Sequence, residues 1–150
     1  MTAPRPATDQ MNATPSRGGK TAMPLVPVSW GELLDKITIL QIKADRIREP
    51  TALANVRREL HLLDQVAERV RGTPGLAPLV AQLRLVNESL WDIEDDIRRK
   101  ELLGCFDHSF VALARAVYQT NDERAAIKRR INILLGSALV EEKHHPVQAG

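Results

Sequence analysis

FVALARAVYQTNDERAAIKRRINILLG, residues 110–136, decides the fold. Within it Phe110, Leu113, Val117, Thr120, Arg124, Ile127, Ile131 and Leu134 recur at alternating steps of three and four. That spacing lines side chains along one stripe of an α-helix, whereas a strand would need alternation at every second residue. Asp107 precedes the stripe where a helix cap belongs, and Gly136 follows it where a left-handed stop belongs. Six of the eight positions are apolar, and Thr120 and Arg124 interrupt them beside Asn121. The interruption is the feature of this stripe that asks for a further explanation.

The same rhythm runs outward through the chain. Leu79, Leu83, Val86, Leu90, Ile93 and Ile97 mark a third helix from near Pro78 to before Gly104. Leu53, Val56, Leu60, Leu63, Ala67 and Val70 mark a second, from Pro50 to about Arg71, with Gly72-Thr73-Pro74-Gly75 as the turn after it. Leu33, Ile37, Leu40, Ala44 and Ile47 mark a first, ending near Arg48. Its start carries a capping box and staple: Ser29 to cap, Glu32 to return the bond, and Val28 to cover Leu33. Short connections between long helices force neighbours to run antiparallel. The sequence therefore predicts an all-α protein, an antiparallel up-and-down four-helix bundle built of long helical hairpins.

Three segments follow from composition. Residues 1–24 hold Pro4, Pro6, Pro15, Pro24, Gly18 and Gly19 and hardly a large apolar side chain, the make-up of a disordered tail. Residues 25–143 form the bundle domain, and 144–150 a flexible C-terminal tail. The formal charge of +2 comes from Arg5, Arg17, Lys20 and Asp9, which leaves 18 basic and 18 acidic side chains from residue 25 onward. A neutral body argues against a dedicated nucleic-acid binder, which gathers a basic excess on one face. With only Trp30, Trp91, Phe106, Phe110 and Tyr118, it also lacks the aromatics to stack bases.

Cys105 is the single cysteine, so neither an intramolecular disulfide nor a multi-cysteine metal site is expected, and a reducing cytoplasm is the expected compartment. No apolar run approaches the roughly 18–20 residues that span a bilayer. His61, His108, His144 and His145 are scattered and read as surface residues. Cys105 beside Phe106 reads as a small packing residue, since only His108 is near it in sequence.

Asp92, Glu94, Asp95 and Asp96, followed by Arg98, Arg99 and Lys100, resemble a metal cluster at first sight. The spacing makes acid-then-base pairs four residues apart, Glu94 to Arg98, Asp95 to Arg99 and Asp96 to Lys100, which belong to a solvated helix face. All-α nucleotide pyrophosphatases hold Mg²⁺ with acidic pairs on two adjacent helices, and only the third helix here offers such a set. Neither a cofactor nor a metal is expected.

The interrupted stripe predicts a polar layer across the bundle. Antiparallel pairing about the turn near 104–107 brings Arg124 level with Asn87 and Glu88, and Asn121 level with Leu90 and Trp91. Pairing the first helix with the fourth brings Gln41 level with Arg124, and Lys43 level with Asp122. A guanidinium removed from water needs a carboxylate, so Arg124 is expected to pair with Glu88 and stack on Trp91. Such a layer either fixes helix register and partner choice, as buried polar residues do in coiled coils, or lines an anion pocket with Arg124, Lys128 and Lys43.

PVSWGELLDKITILQIK (27–43), LANVRREL (53–60), VNESLWDIEDDIR (86–98) and ARAVYQTNDERAAIKRRINILLGS (114–137), with EEK at 141–143, resemble the bacterial family called domain of unknown function 6165. The resemblance covers almost everything after the N-terminal tail and implies no reaction, ligand or site residue. The function expected from the residues is that of a non-enzymatic, self-associating interaction or adaptor module. The rival is an all-α binder or processor of a small anionic metabolite or nucleotide that uses the polar layer.

Overall fold

The computed structural model describes residues 21–139 and Glu142. Of the two expected tails, residues 1–20 and 144–150 lie outside the described residues, and residues 21–28 form a non-helical, exposed lead-in. Four helices follow: α1 (Trp30–Arg46), α2 (Pro50–Ala67), α3 (Leu76–Leu102) and α4 (His108–Leu135). No strand occurs among the described residues, and no helix there is long and apolar enough to cross a membrane.

The ends of the helices obey local chemistry. Ser29 Oγ accepts from the Glu32 amide at 3.1 Å, and Asp107 accepts from the Phe110 amide at 2.9 Å, so each cap satisfies an otherwise unpaired N–H. Glu49 caps α2 through the amides of Thr51 and Ala52, whose bonds hold its carboxyl below the usual range. Gly136 closes α4 at φ 61°. α2 stops at Ala67, short of the expected Arg71, because the chain tightens there into three-residue turns, Arg69 N–H to Val66 and Val70 N–H to Ala67, ahead of Gly72 and Pro74. α3 begins two residues before Pro78, which sits in a first turn that leaves its missing N–H without consequence. α4 runs unbroken through Thr120-Asn121-Asp122.

Neighbours run antiparallel: Lys36 of α1 meets Glu59 of α2, Gln82 of α3 meets Arg130 of α4, and Gly31 of α1 meets Asn132 of α4. α1 is the hub, packed against all three other helices, while the backbones of α2 and α3 approach each other nowhere closely. The reason is in the composition of α1. Leu33, Leu34, Ile37, Leu40 and Ile42 are all buried, and they face more than one side of the helix. The core joins Leu33, Leu34 and Ile37 of α1 to Ala67, to Leu76, Leu79 and Leu83 of α3, and to Ile127 and Ile131 of α4. α3 and α4, of 27 and 28 residues, outreach the 17 residues of α1, so the hairpin projects beyond the core by about 15 Å. Ile93 and Ile97 are only half-buried for that reason.

Candidate functional site

Asp35 is the centre of the polar layer. It is 1% exposed, one residue from Leu34 and two from Ile37 on a helix buried nearly all round. Its carboxylate accepts from Arg124 Nε at 2.9 Å and Arg124 Nη2 at 2.5 Å, the forked geometry that a guanidinium offers a carboxylate. Asn87 Nδ2 of α3 donates to the same carboxylate at 2.8 Å and to Thr38 Oγ1 at 2.9 Å. Thr38 in turn donates to the Asp35 carbonyl at 2.8 Å, and Arg124 Nη1 reaches Asn121 Oδ1 at 3.3 Å. One carboxylate thus ties together α1, α3 and α4.

A second polar set locks the start of α1 to the end of α4. The Gly31 amide donates to Asn132 Oδ1 at 2.6 Å and the Trp30 amide to Ser137 Oγ at 3.1 Å. With Ser29 accepting from Glu32 and Leu33, the first-turn amides of α1 are all engaged, so this helix start is no anion site. Lys128, 5% exposed, places Nζ 2.7 Å from Glu32 Oε2. Glu32 therefore serves Lys128 and not the return bond of a capping box. Asn132 Nδ2 is buried without a partner among the described residues.

The flank beside the layer carries two more arginines. Arg84 of α3 bonds Asp45 at 2.6 Å, Glu88 at 3.0 Å and Gln41 at 3.4 Å, and Asp45 foremost raises its pKa. Arg46 of α1 bonds Asp92 at 2.5 Å and lies 5.6 Å over the Trp91 ring. The hydrogen bond from Asp92 is the main cause of its raised pKa.

Several expected pairings are therefore redrawn. Arg124 pairs with Asp35, while Glu88 is held by Arg84 and Trp91 carries Arg46. Gln41 bonds Arg84, Lys43 is half-buried two turns beyond Asp35, Asn121 joins the layer and Asp122 is exposed. Levelling backbone positions overlooked a carboxylate fewer than two turns earlier on α1, and a half-buried guanidinium goes to the carboxylate. On α3, Glu94 and Arg98 are 4.0 Å apart as expected, but Arg99 takes Asp96 and Lys100 crosses the turn to Asp107 at 3.0 Å. Three or more metal-ligating side chains converge nowhere among the described residues, Asp92, Glu94 and Asp95 included.

Between α1, α2 and α3 lies a groove of about 430 Å³. Leu34, Ile37, Ala67, Leu76 and Val80 form its apolar floor, and Gln41, Asp64, Arg71 and Arg84 form its rim. Sequence reading missed Asp35 and this groove, and it set Asn87 level with Arg124 without giving it a role. Six large apolar side chains among residues 33–42 were the available signal, because a helix apolar on several sides buries whatever acid it contains.

Residues 25–148 match the model of a family of unknown function, DUF6165. The chain belongs to that family. Comparisons with curated proteins and with solved structures give no match. Membership in DUF6165 brings no reaction with it.

Proposed function

We propose that this DUF6165 member is a non-enzymatic protein-interaction module of the reducing cytoplasm, in which the buried layer fixes how the helices pair. The observation that supports the reading is the closure of that layer. Arg124 and Lys128, two of the three cations that an anion pocket would use, lie against the carboxylates of Asp35 and Glu32. A pocket for a phosphate or carboxylate would require those ion pairs to open in a half-buried setting, at a large desolvation cost. The apolar floor between α1, α2 and α3 is what such a module offers to a partner instead.

The test compares three variants. Arg124→Leu strands the Asp35 carboxylate and Asp35→Leu strands the guanidinium, so each lowers stability by about 3 kcal/mol or more. Asp35→Leu/Arg124→Leu removes both charges together and keeps Tm near or above the native value, with broadened amide resonances if the layer gives the packing its uniqueness. Thermal-shift measurements with nucleotides, sugar nucleotides and phosphorylated metabolites complete the test. The reading is abandoned if one of these stabilises the native chain and the stabilisation disappears in the double variant.

A further inference from the structure

The segment that enters α1 is apolar, uncharged and uncovered. Residues 21–28, TAMPLVPV, contain no ionisable side chain, and Leu25 is 98%, Met23 73% and Val26 71% exposed. Isolated exposed apolar side chains are ordinary, but a run of them marks a surface that meets something. Pro24 and Pro27 fix their own φ and hold the preceding residues extended. Ser29 continues that conformation at ψ 158°. The arm's range of backbone conformations is thus narrowed before it binds, which lowers the entropy lost on docking.

The groove between α1, α2 and α3 is its complement. Its floor is apolar, and Ala77 and Ala81 keep one wall low. Its rim charges are already matched: Arg71 bonds Asp64 and Glu68, and Arg84 bonds Asp45 and Glu88. Such a groove selects an uncharged apolar segment over a phosphate or an acidic peptide.

Resting on the interaction reading above and naming its partner, we infer that residues 23–28 of a second copy of this chain occupy the groove, in a reciprocal exchange across a two-fold axis. Leu25, almost fully exposed, packs on none of the described residues of its own chain, and Val28 is only half-covered. Exchange seats both arms at once and leaves no surface from which the assembly propagates. The family match begins at Leu25, so the arm's Leu25-Val26-Pro27-Val28 belongs to the shared domain and not to the stretch before it.

Cross-linking between differently marked full-length chains decides the matter. In a Cys105→Ala background, one preparation carries Leu25→Cys and the other Ala81→Cys; they are mixed and exposed to a mild oxidant. The expected product is a disulfide-linked pair of one chain of each kind. Sedimentation of the otherwise native chain is expected to give a dimer that Leu25→Asp and Ala81→Arg each weaken by about tenfold or more, with helix content unchanged. A monomer at all concentrations overturns the proposal, as does a disulfide formed within single chains of a variant carrying both Leu25→Cys and Ala81→Cys, which would put the arm in its own groove. A dimer indifferent to both Leu25→Asp and Ala81→Arg also overturns it, yet leaves the interaction reading standing on another face. Metabolite stabilisation lost with the layer removes that reading separately.

Discussion

Gly31 has no side chain because α4 occupies the space where one would stand. A Cβ there would lie 2.6 Å from the Lys128 carbonyl oxygen and 2.8 Å from Asn132 Oδ1. Alanine favours a helix over glycine by about 1 kcal/mol, so propensity alone predicts that Gly31→Ala stabilises. The clash is with backbone, which cannot swing aside, and separating the two helices also stretches the 2.6 Å bond from the Gly31 amide. Gly31→Ala is therefore expected to lower stability by about 1–3 kcal/mol, read as a lower urea midpoint at unchanged m-value. A raised midpoint would mean that the helices part freely here. At this scale the sequence was legible in part. Arg124 announced itself by breaking an apolar stripe, and Asn121 lay beside it. Asp35 did not, because it stands within an apolar series, and Asn87 was level with Arg124 but had no role to show, since side chains from three helices meet only after the register is set.

Each helix boundary that sequence placed well has a local cause, and each that it misplaced has a wider one. Ser29, Asp107 and Gly136 act within one turn, so cap chemistry was enough to find them. The end of α2 and the start of α3 depend on a turn held by Gly72, Thr73 and Pro74, where tightened turns compete with helix. The cap of α4 makes a sharper prediction. Its Asp107 carboxyl is lowered from 3.8 to about 2, first by the Phe110 amide and then by Lys100. A carboxyl depressed on folding adds stability that is complete above its unfolded pKa and fades as pH falls through the folded value. The window is thus from pH about 4 down to about 2. Asp107→Asn keeps an acceptor for the Phe110 amide but loses the charge. Its Tm should lie below the native value at pH 5, and the gap should close as pH falls to about 2. A gap that is constant across this range would show that the charge is not what steadies the start of α4.

The assembled molecule is a hub with unequal attachments. Pairing rules gave four antiparallel helices, but not which helix lies inside, because that depends on how many sides of each are apolar. α1 is apolar on several sides and touches α2, α3 and α4, while α3 and α4 also hold each other along their length. α2 packs on α1 alone, and within the helix only Ala67 is fully buried. Leu60 and Leu63 reach the core only half-covered, and the Lys36–Glu59 ion pair beside them is exposed on both sides, which makes it worth about 1 kcal/mol or less. Opening α2 away from α1 would therefore uncover Leu60, Leu63 and Ala67 but break no buried polar bond among the described residues. Opening α4 would strand Asp35 and the Gly31 amide at once. Native-state hydrogen exchange should show this directly. Amides in the middle of α2, from Leu53 to Leu63, are expected to exchange through a partial opening of lower free energy than global unfolding. Those around Ile37, Leu83 and Ile131 should exchange only with global unfolding. A peptide of sequence TAMPLVPV docked in the groove that α2 walls should slow the α2 amides by the same factor as those that exchange through global unfolding, because either opening destroys the groove. Equal protection of all four helices would mean that α2 is held by more than α1, and the hub description would have to be given up.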